Sequence, residues 1–221
     1  MATFHRARSE EQRAARRTAI LDVAATMLGE QPVAELSLNA LARRVGLAKS
    51  NVLRYFDSRE AILLELLTAQ STDWLAELSR LPKPRGAVST RSRRLTTAIA
   101  ESLARRPVLC DLIGSQAAVL ERNVSVEVAA RHKRASLAAM ADFGAIVRRA
   151  LPELDDETAR LFAAATQLTA GALWVHAQPT EVLRAVYDAH PDLAVFKIDF
   201  VADMQRFLSV VLAGLLAQNP S

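Results

Sequence analysis

The chain has 221 residues, 51% of them apolar, and 28 Lys and Arg stand against 24 Asp and Glu for a formal charge of +4. That apolar share excludes a disordered chain and supplies a sizeable core, while the basic balance suits an anionic partner without naming one. One cysteine, Cys110, excludes an internal disulfide framework and fits the reducing cytoplasm where the protein is expected, and no run of about 18 uninterrupted apolar residues marks a membrane span.

Residues 5–17 carry Arg6, Arg8, Arg13, Arg16 and Arg17 against Glu10 and Glu11, which alone reads as a solvated basic tail. From residue 11 to 29, Ile20, Leu21, Ala24, Met27 and Leu28 recur at three- and four-residue spacing, predicting an amphipathic helix that Gly29 and Pro32 end. Ser37 is an N-cap for a short helix through Leu38, Leu41, Ala42 and Val45, stopped by Gly46. A second short segment, Lys49 to Tyr55, follows. Asp57, with Glu60 three residues on, forms a capping-box pattern for a long helix carrying Ile62, Leu63, Leu66, Leu67, Trp74 and Leu78. The Pro/Gly/Ser stretch 81–89 is the clearest linker.

Beyond it only helices are expected. Leu95, Ile99 and Leu103 mark one that ends before Pro107. A shorter one covers Val108 to Leu120, and a long one runs from about Val124 to Leu151. Asp155, Asp156 and Glu157 place negative charge where the next helix dipole favours it, and that helix reaches about Ala177. A minor helix near Glu181 to Ala189 and a last one from about Ile198 to Leu216 complete an all-α fold.

The segment LNALARRVGLAKSNVLRYF carries the main signal. Ala42, Gly46 and Val52 supply the small residue, the tight turn and the apolar anchor that a helix-turn-helix needs. The outward face of its second helix offers Lys49, Ser50, Asn51, Arg54 and Tyr55, donors suited to base edges and phosphate oxygens in a major groove. The bland alternative is a helical hairpin with a solvated polar face.

The stretch from Arg13 to Leu67, ending its helix-turn-helix in RYFDSRE, resembles the DNA-binding region of the TetR family of repressors. The resemblance implies a three-helix DNA-binding domain over residues 1–57 and a helical ligand-binding and dimerisation domain over 58–221. By the same resemblance Ser37 touches phosphate, Asn39 reaches a base, and Lys49, Ser50, Asn51 and Arg54 read sequence. Tyr55 contacts backbone or a thymine methyl, Arg59 binds phosphate, and Arg13, Arg16 and Arg17 approach the backbone or minor groove. Leu53 departs from the family, which usually has a phosphate-touching Tyr there, so the anchoring falls to Tyr55 or Arg54.

Dimerisation through the last long helices is also implied. Leu161, Ala165, Leu168, Ala172 and Val175 share one face, with close approach allowed by the small residues of AAAT and TAGA. Val201, Met204, Leu208, Val211, Leu212 and Leu215 form a second stripe. Either stripe can instead bury against the chain's own core. A homodimer matches a palindromic operator. The resemblance further implies a pocket for a small apolar molecule, with Cys110, Gln116, Met140, Phe143, Gln167, Trp174 and His176 as candidate lining. No enzyme, metal or cofactor is expected. His5, His132, His176 and His190 are scattered, and neither HExxH, G-x-S-x-G nor a Gly-rich phosphate loop occurs. Two rivals to the ligand-controlled repressor remain: a DNA-binding regulator without an inducer, and a helical adaptor that never touches DNA.

Overall fold

A computed structural model describes residues 2–83 and 85–218, with side chains described from residue 10 onward, so Arg6, Arg8 and His5 lie outside the described side chains. Every regular element among the described residues is helical. The chain divides into two compact units, Met1–Ala69 with Ser115–Lys133, and Gln70–Gly114 with Arg134–Ser221.

The first unit holds α1 (Ala2–Leu28), a 3₁₀ turn (Val33–Glu35), α2 (Leu38–Val45), α3 (Lys49–Val52) and the first half of α4 (Arg59–Arg80). Its core is built from the apolar positions of each periodic stretch. Ile20, Ala24, Val33, Leu41, Val52, Ile62 and Leu63 are fully buried, and Phe56 nearly so. The unit runs past residue 57 because α4 is bonded into it. Arg17 of α1 pairs with Glu65, and Arg59 donates to the carbonyl of Val33. It also includes a π-helical turn (Gln116–Leu120) and the start of α7 (Val126–Ala150).

Two local details differ from the expected pattern. The cap of α4 is Ser58, whose hydroxyl accepts from the N–H of Ala61 at 3.0 Å, whereas Asp57 accepts from the Ser125 hydroxyl at 3.3 Å. The Asp57–Glu60 spacing points to Asp57, but the helix starts one residue later, where the Ser58 hydroxyl caps it, and a partner 68 positions away takes Asp57. The expected helix over residues 108–120 is α6 (Pro107–Ser115) continued by the π turn, with Pro107 at its first position, where a missing N–H costs nothing.

The second unit packs the end of α4, α5 (Val88–Ala104), α6, most of α7, α8 (Asp156–His176), α9 (Glu181–Ala189) and α10 (Phe200–Gln218). Ile99, Leu103, Leu109, Leu112, Val147, Phe162, Met204 and Leu208 are fully buried in it. Trp74 meets Phe143 edge-on at 5.1 Å and donates its indole N–H to Ser102 at 2.9 Å, so its polar atom is satisfied in the core. α8 starts as expected, with Asp155 accepting from the N–H of Thr158 at 2.7 Å. α10 is long and apolar enough to cross a membrane by length and composition alone. It packs on α5 and α8 instead. The stripe Met204, Leu208, Leu212 and Leu215 is its inward face, and its outward apolar residues are a different set, Phe207 and Val210.

Candidate nucleic-acid interface

Local sequence fixes the helix-turn-helix. The Ser37 hydroxyl accepts from the N–H of Ala40 at 3.1 Å and starts α2, keeping its own proton to donate. Gly46 ends α2 in the left-handed region at φ 75°, a conformation that side chains with a Cβ resist. There the N–H of Leu47 returns to the carbonyl of Ala42 at 2.9 Å. Gly46, Leu47 and Ala48 make the turn, and Val52 and Phe56 then pin α3 to the core. The residues left outside are those expected to read DNA. Lys49, Ser50, Asn51 and Arg54 are exposed, Tyr55 is half-buried, and Ser37 and Asn39 are exposed at the start of α2. Leu53 is also exposed, at 41%, which puts an apolar group among these polar side chains.

Beside α3 lies an open cleft of about 770 Å³, walled by Gln12, Arg13 and Arg16 of α1 and by Arg54 and Tyr55. Arg13 donates to the carbonyl of Arg54 at 3.3 Å, which ties the two walls. Arg13, Arg16 and Arg54 form no ion pair among the described residues, and no carboxylate lines the cleft. Three guanidinium groups with no acidic partner beside α3 make a surface whose charge and donors suit phosphate oxygens.

The structure turns two expected DNA contacts inward. Arg17 donates to the carbonyl of Tyr55, pairs with Glu65 and sits 4.2 Å over the ring of Phe56, joining α1, the end of α3 and α4. Arg59 donates to the carbonyl of Val33 and pairs with Glu60 at 3.1 Å. Their sequence neighbours gave no sign of this, because a guanidinium suits a buried carbonyl as well as a phosphate. Arg44, which sequence reasoning passed over, pairs with Glu30 and keeps that carboxyl below its ordinary range through the hydrogen bond.

A second group missed from sequence lies in the same unit. His132, only 6% exposed, stands 3.1 Å from Gln116, 3.5 Å from Thr68 and 3.9 Å from Glu121, and Glu121 also accepts from Lys133 at 2.7 Å. This polar junction ties α4, the π turn and α7. Burial lowers the imidazole from its ordinary value, against the pull of Glu121 and with the help of Lys133.

The candidate ligand residues are scattered. Gln116 belongs to the first unit and donates to Glu121 at 2.7 Å. In the second unit Cys110 and Phe143 are buried in the core, Trp174 meets Phe200 edge-on at 5.2 Å, Met140 and Gln167 are half-buried, and His176 is exposed. The Cys110 thiol donates to the carbonyl of Leu103 at 3.4 Å, and burial pushes it up to about 12. None of the seven lines the open cleft of about 810 Å³ at the α4–α5 turn.

Two family models match in tandem. One, bacterial regulatory proteins of the tetR family, covers residues 20–66, and the other, the tetracyclin repressor-like C-terminal domain, covers residues 68–219. The chain belongs to the TetR family of transcriptional regulators. No curated protein matches it significantly by sequence. Solved structures share the fold of this TetR-family chain. A TetR transcriptional regulator from Rhodococcus sp. RHA1 matches with a TM-score of 0.56 at 20% identity, covering 91% of this chain and 97% of that one. FadR from Thermus thermophilus, a TetR-family repressor solved with lauroyl-CoA, gives 0.57 at 18%, covering 90% and 93%. FadR from Bacillus subtilis, solved with stearoyl-CoA, gives 0.56 at 16%, covering 89% and 98%.

Proposed function

We propose that this TetR-family regulator is a homodimeric repressor that reads a two-fold operator with α3 and leaves it when a small apolar ligand binds. The observation that carries the reading is the joint exposure of Lys49, Ser50, Asn51 and Arg54 beside the uncompensated Arg13 and Arg16. Asn and Arg discriminate bases through paired donors and acceptors, while Arg13, Arg16, Ser37 and Tyr55 set the register on phosphate. Asn39 adds a contact from α2.

Dimerisation is supported by apolar surface that the chain leaves uncovered. Leu161, Leu168 and Val175 recur every seven residues on α8 and are exposed by 54–76%. Phe207 and Val210 are exposed by 51% and 68% on α10, which packs on α8. Surfaces of this kind mark an interface, and a two-fold pairing presents two reading heads to two half-sites. Ligand control draws support from the acyl-CoA complexes of the two FadR structures. A ligand that prefers the state unable to span both half-sites shifts the population away from DNA.

The test is selection of binding sites from random duplexes, followed by titration across a salt series. The expected product is an inverted repeat whose half-site centres lie about 34–36 Å apart or a multiple of it, with affinity falling steeply as salt rises. Asn51→Ala and Arg54→Ala should each cost about 1–3 kcal/mol of discrimination at one base position. A folded dimer that retains no duplex would overturn the reading.

A further inference from the structure

We propose that the cleft at the α4–α5 turn is a binding site for a single-chain anionic amphiphile, an alkyl or acyl chain ending in a phosphate or carboxylate. The cleft measures about 810 Å³, within the range of about 300–1,000 Å³ that holds small molecules. Its floor is apolar. Leu78 of α4, Leu95 and Ala98 of α5, and Ile146 and Ala150 of α7 converge there, and none of them carries a polar side-chain atom. Its polar lining is cationic: Lys83, Arg85, Arg94 and Arg149 line the same cleft, and no Asp or Glu does.

The charges are available to a ligand because the neighbouring carboxylates are engaged elsewhere. Glu153 pairs with Arg91, whose hydrogen bonds hold that carboxyl below its ordinary range. Asp156 pairs with Arg148, and Glu77 with Arg105 and Arg106. Lys83, Arg85 and Arg94 are exposed and form no ion pair among the described residues. Arg149 is held in place by the carbonyls of Leu78, Ser79 and Leu81 at the end of α4, which orient its guanidinium without neutralising it. An apolar floor under a cationic lip distinguishes among anions. A free phosphate leaves the floor exposed to water, and a neutral lipid leaves four charges unmatched. A molecule joining a chain to an anionic head satisfies both.

The assignment goes beyond the proposed control by an apolar ligand, since it names a location and a charge. Its test reads binding directly, so loss of operator recognition and loss of this site are separate results. Calorimetry of the full-length chain with n-dodecyl phosphate below its micellar concentration should show saturable binding that weakens with salt. Inorganic phosphate and dodecanol should each bind at least ten-fold more weakly. The Lys83→Glu, Arg94→Glu double variant changes exposed residues only and should cut dodecyl phosphate affinity at least ten-fold with an unchanged melting temperature. Ala98→Phe, which narrows the floor, should do the same from the apolar side. Equal binding of inorganic phosphate or of dodecanol would overturn the proposal. So would binding to anionic phospholipid vesicles but not to the monomeric amphiphile, unchanged affinity in both variants, or no binding at all.

Discussion

Arg16 and Arg17 stand next to each other in the sequence and have opposite roles. Arg17 bonds the carbonyl of Tyr55, the carboxylate of Glu65 and the face of Phe56, whereas Arg16 lines the cleft beside α3 with no acidic partner. Arg17→Ala should therefore lower unfolding free energy by about 1–3 kcal/mol in denaturant titrations, since two acceptors lose their donor at once. Arg16→Ala should leave stability within about 0.5 kcal/mol and reduce the salt dependence of operator binding by about one counterion. His132 gives the pH counterpart. Its imidazole is lowered by burial from 6.5, so the unfolded chain binds the proton more readily than the folded one. Stability is then complete above pH 6.5 and falls as the pH drops below it, at no more than about 1.4 kcal/mol per pH unit. His132→Gln should flatten that part of the stability profile. The exposed face of Lys49, Ser50, Asn51 and Arg54 was legible in the sequence because the helix-turn-helix spacing assigns those residues to one side. The inward turn of Arg17 and Arg59 was not, since their acceptors are backbone carbonyls and acids fixed only by the fold.

At the scale of elements, small residues show how one pattern admits two uses. The TAGA run in α8 reads as a surface for close approach to a partner helix, yet Gly171 is buried against α6 of its own chain. A Cβ on Gly171 would lie 3.1 Å from Ile113 Cγ2 and 3.2 Å from the Cα of Gly114, and one on Gly114 would lie 3.1 Å from the Gly171 carbonyl oxygen. Gly171→Ala should therefore destabilise by about 1–3 kcal/mol through overpacking, measured by thermal or chemical unfolding. Leu168 to Ala, on the outward face of the same helix, should not. The inward stripe of α10 repeats the lesson: periodicity reveals that a face is apolar but not which side of the bundle covers it. Most helix positions were legible to within a few residues because Gly46, Pro107 and Pro152 punctuate the chain, but α1 begins at Ala2 rather than near residue 11, since its polar, Arg-rich first turns carry no apolar periodicity. The π turn after α6 carries no Gly or Pro, and its five residues read as ordinary helix.

For the whole molecule, the decisive quantity is the apolar surface that a single chain leaves open on α8 and α10. Leu168→Glu together with Val210→Glu puts like charges on that surface and should yield monomers in sedimentation velocity. Operator affinity should then fall at least 100-fold, because each head binds one half-site without its tethered twin. A retained dimer would place the interface elsewhere. All-helical architecture and the family were legible from composition and one motif. The cationic cleft was not, because its lining comes from α4, the turn, α5 and α7, brought together only by folding. The Cys110 thiol is fully buried and raised to about 12, so maleimides, which need an accessible thiolate, leave it unmodified in the folded chain. A cysteine introduced at exposed Ala48 then becomes the labelling target, and spin labels there would measure, in the proposed dimer, the separation of its two helix-turn-helix motifs with and without duplex DNA.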